Sequence, residues 1–276
     1  MVSTMPTEEG PISPAELRRR IRANEWTGPL PSPRTVGAAP ADSRAYAKMN
    51  LVVLPLAVAF DFVLFCQRNA RAYAIADITE PGSPVPRLLA PDADVRTDLP
   101  RYRVFSRGSI IDEPHDINAY WHADSVAFLI GSSSCFDWAL RTAGVQYETL
   151  GAYETALPCL PSRCFAGNMV VTARRFASSQ DAVRAIQISS RHPAFHGAPV
   201  HMGPAQAIGI ADLAKPDYPL GTMPAQTASD DTHTLYWGCG ILSASLTGSA
   251  QIEQLITHYP GRLMVTDRLI AEMAVF

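Results

Sequence analysis

The sequence predicts an α/β protein of mixed α/β and α+β character, and three observations carry that reading. Short apolar or alternating runs of strand length recur along the chain. Longer stretches with helical spacing fall between them. The 276 residues are 47% hydrophobic and 18% charged, enough apolar matter to bury a large core as one big domain or two modest ones.

Taken in order, Ser13-Pro14-Ala15-Glu16 opens a helix, with Ser13 as N-cap and Pro14 at the first helical position. Leu17 and Ile21 form its apolar face, and Arg18, Arg19, Arg20 and Arg22 a solvated one. Residues 27–43, rich in Pro, Gly, Ala and Ser, read as a loop or lid. Residues 51–55 (LVVLP) are a strand or an apolar entry to the helix over 56–68, where Phe60, Leu64 and Cys66 are available for packing. Proline-rich residues 79–100 should be irregular, and RYRVFS (101–106) alternates as a strand. Residues 116–140 look helical in two pieces interrupted by GSSSC (131–135). Residues 168–174 are a strand and 182–189 a helix or second strand. Further short apolar segments follow at 236–242, 255–256 and 263–266. The order of strands is not legible at this level.

Composition narrows the function classes. A net charge of −3 argues against a general nucleic-acid binder, and only two of the 23 basic residues, Lys48 and Lys215, are lysines. The apolar stretch 51–66 is interrupted by Pro55 and Asp61 and is too short to span a bilayer. Five cysteines without a CxxC pair, behind an N-terminus that lacks an apolar leader, fit a reducing cytoplasm.

The densest chemistry lies in residues 191–217, where His192, His196 and His201 sit among glycines and prolines with no helical or strand period. A rigid loop bearing histidines suits acid–base work near neutral pH. A metal there would need a third ligand such as Asp217 or His258, and no ligand spacing is present. In RTDLPRYR, Arg96 or Arg101 can clamp a carboxylate or pair with Asp98. Glu113 offers a general base, while Asp116 suits a helix cap. Ser132 and Ser133 stand where a restarting helix would present N–H groups to an oxyanion. Cys239 lies between two glycines, and His258 lies beside a turn.

Together FDFVLFCQRN (60–69), RTDLPRYRVF (96–105), EPHDI (113–117), HGAPVHMG (196–203), IGIADLAKPD (208–217) and ITHYPG with VTD (256–261, 265–267) resemble the D-glutamate cyclase family, many of whose bacterial members are named only as hydro-lyases. The resemblance runs from about Glu16 to the C-terminus. It implies a two-lobed cytoplasmic protein: residues 13–140 with 235–276 as the main α/β domain, 141–234 as a smaller inserted α+β subdomain, and 1–12 flexible. Departures occur where the family reads GCSFSFE (here GSSSCFD, 131–137), NVPMY (YETAL, 153–157), PDYGD (PDYPL, 216–220) and CGVTPQ (CGILSAS, 239–245).

The implied reaction is attack of D-glutamate's amine on its own γ-carboxyl, with loss of water, giving 5-oxo-D-proline. On this reading Arg101 and Arg96 grip the carboxylate, while His196 and His201 share acid and base roles. Ser132 and Ser133 hold the oxyanion, Glu113 or Asp217 orients a histidine, and Cys239 and His258 contact substrate. The expectation is thus a lyase that dehydrates or cyclises a small amino acid or hydroxy acid, and replacing His201 with Asn should abolish turnover. The altered motifs favour a substrate other than D-glutamate. A non-catalytic acid-binding homologue and a specialised-metabolism dehydratase or cyclase are the alternatives. No cofactor is expected, with a divalent metal left open. The expected partner is a small carboxylic or amino acid, with neither nucleic acid nor membrane, and homo-oligomerisation is left open.

Overall fold

The computed structural model describes residues 12–25, 45–220 and 233–276. The loop expected at 27–43, and the flexible N-terminus apart from Ile12, lie outside them. The described residues mix helices with antiparallel strands in two sheets, an α/β protein as its short segments predict.

The first helix, α1 (Pro14–Arg22), starts where expected: Ser13 Oγ accepts the Glu16 N–H at 3.2 Å, and Leu17 and Ile21 are buried. Arg18 is not solvated. It is 1% exposed, donating to both Asp267 carboxylate oxygens and to the Val265 carbonyl. Its ion pairs fasten α1 to the sheet.

Seven strands form the first sheet: β1 (Tyr46–Pro55), β2 (Ile75–Ile78), β3 (Tyr102–Ser106), β4 (Ser109–Asp112), β5 (Ser125–Gly131), β10 (Leu255–His258) and β11 (Met264–Leu269). Their order is β2-β5-β1-β10-β3-β4, with β11 also on β1. Between β1 and β2 lies α2 (Leu56–Arg68). It buries Ala59, Phe62, Phe65 and Cys66 but leaves Phe60 72% exposed, so the packing face is offset from the expected one. The expected helix before GSSSC is in fact β5. Its alternate residues enter two different cores, Ala127 and Leu129 on one face and Val126, Phe128 and Ile130 on the other. A strand buried on both faces is a continuous apolar run, and periodicity alone cannot separate that from a buried helix.

The second sheet has the order β6-β7-β9-β8, from β6 (Glu148–Pro158), β7 (Asn168–Phe176), β8 (His201–Met202) and β9 (His233–Gly238). Two helices, α3 (Ser134–Thr142) and α4 (Ser179–Ser190), share one core with β1 residues Met49 and Leu51 and with Phe176, Leu235 and Trp237 of the second sheet. The opposite face of that sheet, with Tyr153, Val171 and Tyr236, is covered by Ala205, Ile208 and Ile210. A short helix, α5 (Ala244–Ala250), packs Leu246 into the core beneath α2. Each large apolar side chain so buried contributes about 1.5–3 kcal/mol.

Candidate active site

Two polar regions stand out in this framework. The first is sealed. Arg174, on β7, is 2% exposed and makes a two-pronged pair with Asp137 of α3 at 2.7 and 2.9 Å. It also reaches the carbonyl and Oγ of Ser133, whose hydroxyl lies 3.1 Å from that of Thr172. Its guanidinium stands 4.6 Å from the Phe136 ring centre and 5.2 Å from that of Trp237. Ser132 is bonded to Ser134 at 3.0 Å. Of the hydroxyls expected to serve an oxyanion, that of Ser133 holds the start of α3 against the second sheet and that of Ser132 is engaged with Ser134 of α3 itself.

His196 adjoins this cluster. It is wholly buried in a left-handed backbone conformation, its ring nitrogens facing the backbone of Arg71 and Gly131 without well-aligned hydrogen bonds. Burial, reinforced by the Arg174 charge, pushes its pKa down to about 3, so the ring is neutral. The loop can approach only because position 131 is glycine: a Cβ there would stand 1.7 Å from the Ala194 carbonyl oxygen. His192 is buried and stacks on Phe195 at 6.0 Å. His201 lies elsewhere. It belongs to edge strand β8, lies tilted against the Tyr236 ring at 5.4 Å and meets the Pro204 carbonyl at 3.1 Å. Tyr236 faces the Ala205–Ile210 cover and Arg174 the α3 side, so the second sheet separates the two histidines.

The second region is open. A cavity of about 230 Å3 is lined by Arg103 and Phe105 of β3, Gly108 and Ile110 at the β3–β4 turn and on β4, and Tyr218. Ile241, Leu242, Ala244 and Thr247 form the α5 side, and Thr257, His258 and Pro260 complete the wall. His258 is placed by a gap in the sheet. On one edge β1 pairs β11 through residues 46–49 and β10 through 52–53, and between them the Leu51 N–H donates to His258 Nδ1 at 3.3 Å. Nδ1 also lies 3.5 Å from the Leu51 carbonyl; the shorter contact, to an N–H that can only donate, assigns Nδ1 the acceptor role and the proton to Nε2. Nε2 is buried without a partner. Burial pushes the His258 pKa down to about 4, partly offset by the Leu51 backbone and furthered by the Arg103 charge. The ring is thus a neutral N–H donor beside a guanidinium.

Arg103 gives Nε and Nη2 to Glu113 at 2.9 and 2.8 Å, and Nη1 makes no hydrogen bond to the described residues. Arg101 holds the other Glu113 oxygen at 3.2 Å, and both arginines flank the Tyr259 ring. Arg101 and Glu113 are therefore at the rim, committed to each other. Arg96 is tied to Asp94 at 2.7 Å and does not line the cavity. Glu154 stands just behind the wall, its Oε1 accepting from the Tyr218 hydroxyl at 3.0 Å and the Ala244 N–H at 2.8 Å. Burial and this carboxylate raise the Tyr218 pKa. Asp217 is exposed and accepts the Glu154 N–H at 2.9 Å, with no histidine attached. Cys239 packs with Ala152, Val170 and Ile241, and burial pushes its thiol up to about 11. A larger hollow, about 440 Å3, lies along the β2 edge and holds none of the sequence-selected residues.

The cavity wall draws on four stretches far apart in sequence: 103–110, residue 218, 241–247 and 257–260. The D-glutamate cyclase profile matches residues 126–267. A Bacillus licheniformis protein named "Putative hydro-lyase" is 45% identical over 93% of this chain and 95% of its own length. The chain belongs to the D-glutamate cyclase family. A Rubrobacter xylanophilus relative of the same name is 43% identical over 95% of this chain and 98% of its own. "Putative hydro-lyase YcsI" of Bacillus subtilis is 41% identical over 96% and 100%. Among the described residues no cluster of three or more His, Cys, Asp or Glu could hold a metal, and no helix is long and apolar enough to cross a membrane. All five cysteines are free thiols.

Arg103, Glu154 and Tyr218 were not selected from the sequence. One signal was available for Arg103: in an alternating strand, residues 101 and 103 share a face, so the second arginine follows the first. Glu154 and Tyr218 meet only because residue 218 bridges β6 at Ala152, a long-range contact with no local mark.

Proposed function

We propose that the chain is a lyase of the D-glutamate cyclase type, expelling water from a small amino or hydroxy acid bound in the Arg103–His258 cavity. One observation carries this: two segments of the family resemblance, 96–105 and 256–261, meet in one cavity to which they bring Arg103 and His258, an imidazole whose buried Nε2 has no partner. A neutral imidazole does not readily surrender its last proton, but it donates strongly to an oxygen that gains charge. That favours a tetrahedral oxyanion, as in cyclisation, over direct protonation by His258.

In the proposed step Arg103 Nη1 and His258 Nε2–H bind one substrate carboxyl. The substrate amine attacks its carbon, the C–N bond forms, and the oxyanion is held by His258. The C–O bond then breaks. The substrate ammonium gives up one proton before attack and its nitrogen a second after it; both depart with the carboxyl oxygen as water, carried by Glu154, whose Oε2 accepts no hydrogen bond from the described residues. The test is incubation of purified protein with D-glutamate and a panel of amino and hydroxy acids, followed by mass spectrometry for a change of about eighteen mass units. Turnover that disappears in Arg103→Gln supports the reading. Turnover indifferent to that change removes the cavity from the chemistry, and no turnover of any acid favours a binding protein, detected as ligand-induced stabilisation.

A further inference from the structure

The charges around the cavity specify its ligand more narrowly than the reaction does, given the reading above that this cavity is the active site. Of the twelve described residues that line it only Arg103 carries a charge of its own at neutral pH, burial holding His258 neutral. Arg103 and Arg101 share a single Glu113, so this end of the cavity has about one positive charge in excess. A carboxylate stands behind the wall: Glu154, hydrogen-bonded to two of the lining residues. The rest of the wall is Phe105, Gly108, Ile110, Ile241, Leu242, Ala244 and Pro260, with Tyr218, Thr247 and Thr257, whose hydroxyls donate to Glu154, the Ser243 carbonyl and the His258 carbonyl. Arg103 and His258, whose Nε2 has no hydrogen-bond partner, both line the cavity.

We infer that the cavity takes a monocarboxylic acid with an apolar body, not a dicarboxylate such as D-glutamate. One carboxyl engages both Arg103 and His258. A second carboxylate would be carried onto apolar wall or toward Glu154, where it finds no counter-charge and loses its water. An apolar chain on the same wall gains about fourfold in affinity for each methylene buried.

Pentanoate and glutarate form the matched pair that tests this, because they differ only in whether the far end is methyl or carboxylate and neither can react. Their dissociation constants would be measured by ligand-observed NMR on wild type, Arg103→Gln and Ile110→Lys. Ile110 is 51% exposed on edge strand β4, so the lysine is introduced without disturbing a core. The expected result is pentanoate bound about tenfold or more tighter than glutarate by wild type, both weakened in Arg103→Gln, and the preference narrowed or reversed in Ile110→Lys. Glutarate binding tighter, with both acids still weakened by Arg103→Gln, overturns the substrate class and leaves the site standing. Acids that do not bind, or that bind equally well to Arg103→Gln, overturn the inference and the assignment of the site together.

Discussion

The Arg174 cluster and the Arg103 cavity use the same chemistry, an arginine held by a carboxylate beside aromatic rings, with opposite outcomes. Arg174 directs Nε to Asp137, Nη1 to Thr172 and Nη2 to Asp137 and Ser133, and it is sealed from solvent. Arg103 leaves Nη1 without a hydrogen bond to the described residues, and it lines a hollow together with an imidazole whose Nε2 has no partner. Buried polar groups in a finished structure are nearly always satisfied, so a fully bonded network reads as architecture and an unfinished one beside space reads as a place for a ligand.

The sharpest way to break this contrast is at Asp137. Asp137→Ala strands a buried guanidinium, and the expected loss is about 3–5 kcal/mol of folding stability. Urea denaturation measures it. A variant that stays as stable as wild type yet loses turnover would make the Arg174 cluster the reaction centre instead. At the cavity, His258→Gln should lower kcat by about 10²–10³-fold, the usual cost of one oxyanion donor. Steady-state kinetics on whichever acid is turned over decide it, and a change confined to KM would limit His258 to binding.

Protons provide a milder probe. His258 and His196 titrate near 4 and 3 when folded, below the ordinary histidine value of 6.5. As pH falls below about 6.5 the unfolded chain takes up protons that the folded rings refuse. Stability therefore falls with pH, by up to about 1.4 kcal/mol per unit for each ring, until the folded pKa is passed. Above pH 6.5 neither ring contributes. Unfolding free energies at pH 7 and pH 5 should show this loss, and His258→Gln should remove part of the slope. An unchanged slope would mean that His258 is already charged in the folded protein.

Local signals brought much of the fold within reach of the sequence, and long-range ones did not. The Ser13 cap, the 56–68 helix and the alternating 101–106 strand follow from neighbours within a turn or two. What failed needed partners far along the chain. Residues 125–131 look helical until β1 and β2 flank them, and Arg18 looks solvated until Asp267 arrives from the other end. The site divides the same way. Arg101, Glu113 and His258 were selected for their chemical types and do stand at or beside the cavity. Their division of labour depended on register: the β1 gap that claims His258 Nδ1, and the arginine pair that consumes Glu113. Histidine density in HGAPVH marked a conspicuous loop, yet a strand edge lies between its two ends.

That loop supplies a smaller prediction. His201→Asn, a change the sequence alone marks as lethal to activity, should alter turnover by no more than about threefold, because its contacts are a tyrosine ring and a carbonyl outside the cavity. Loss of turnover with normal stability would return catalysis to the loop.

The smallest effect is expected at Arg96. Its side chain is 33% exposed and its guanidinium is spent on Asp94, two residues away in the same turn. Such a pair lies in high dielectric and must immobilise a long side chain, so Arg96→Ala should cost about 0.2–1 kcal/mol and leave kcat and KM for the acid substrate unchanged. Arg103→Ala, seven residues on, should weaken acid binding severely. The two substitutions remove the same guanidinium charge, so the comparison isolates position. Equal losses of affinity would show that the cavity senses only the general basic field of this segment. A loss confined to Arg103 ties recognition to the guanidinium that lines the cavity.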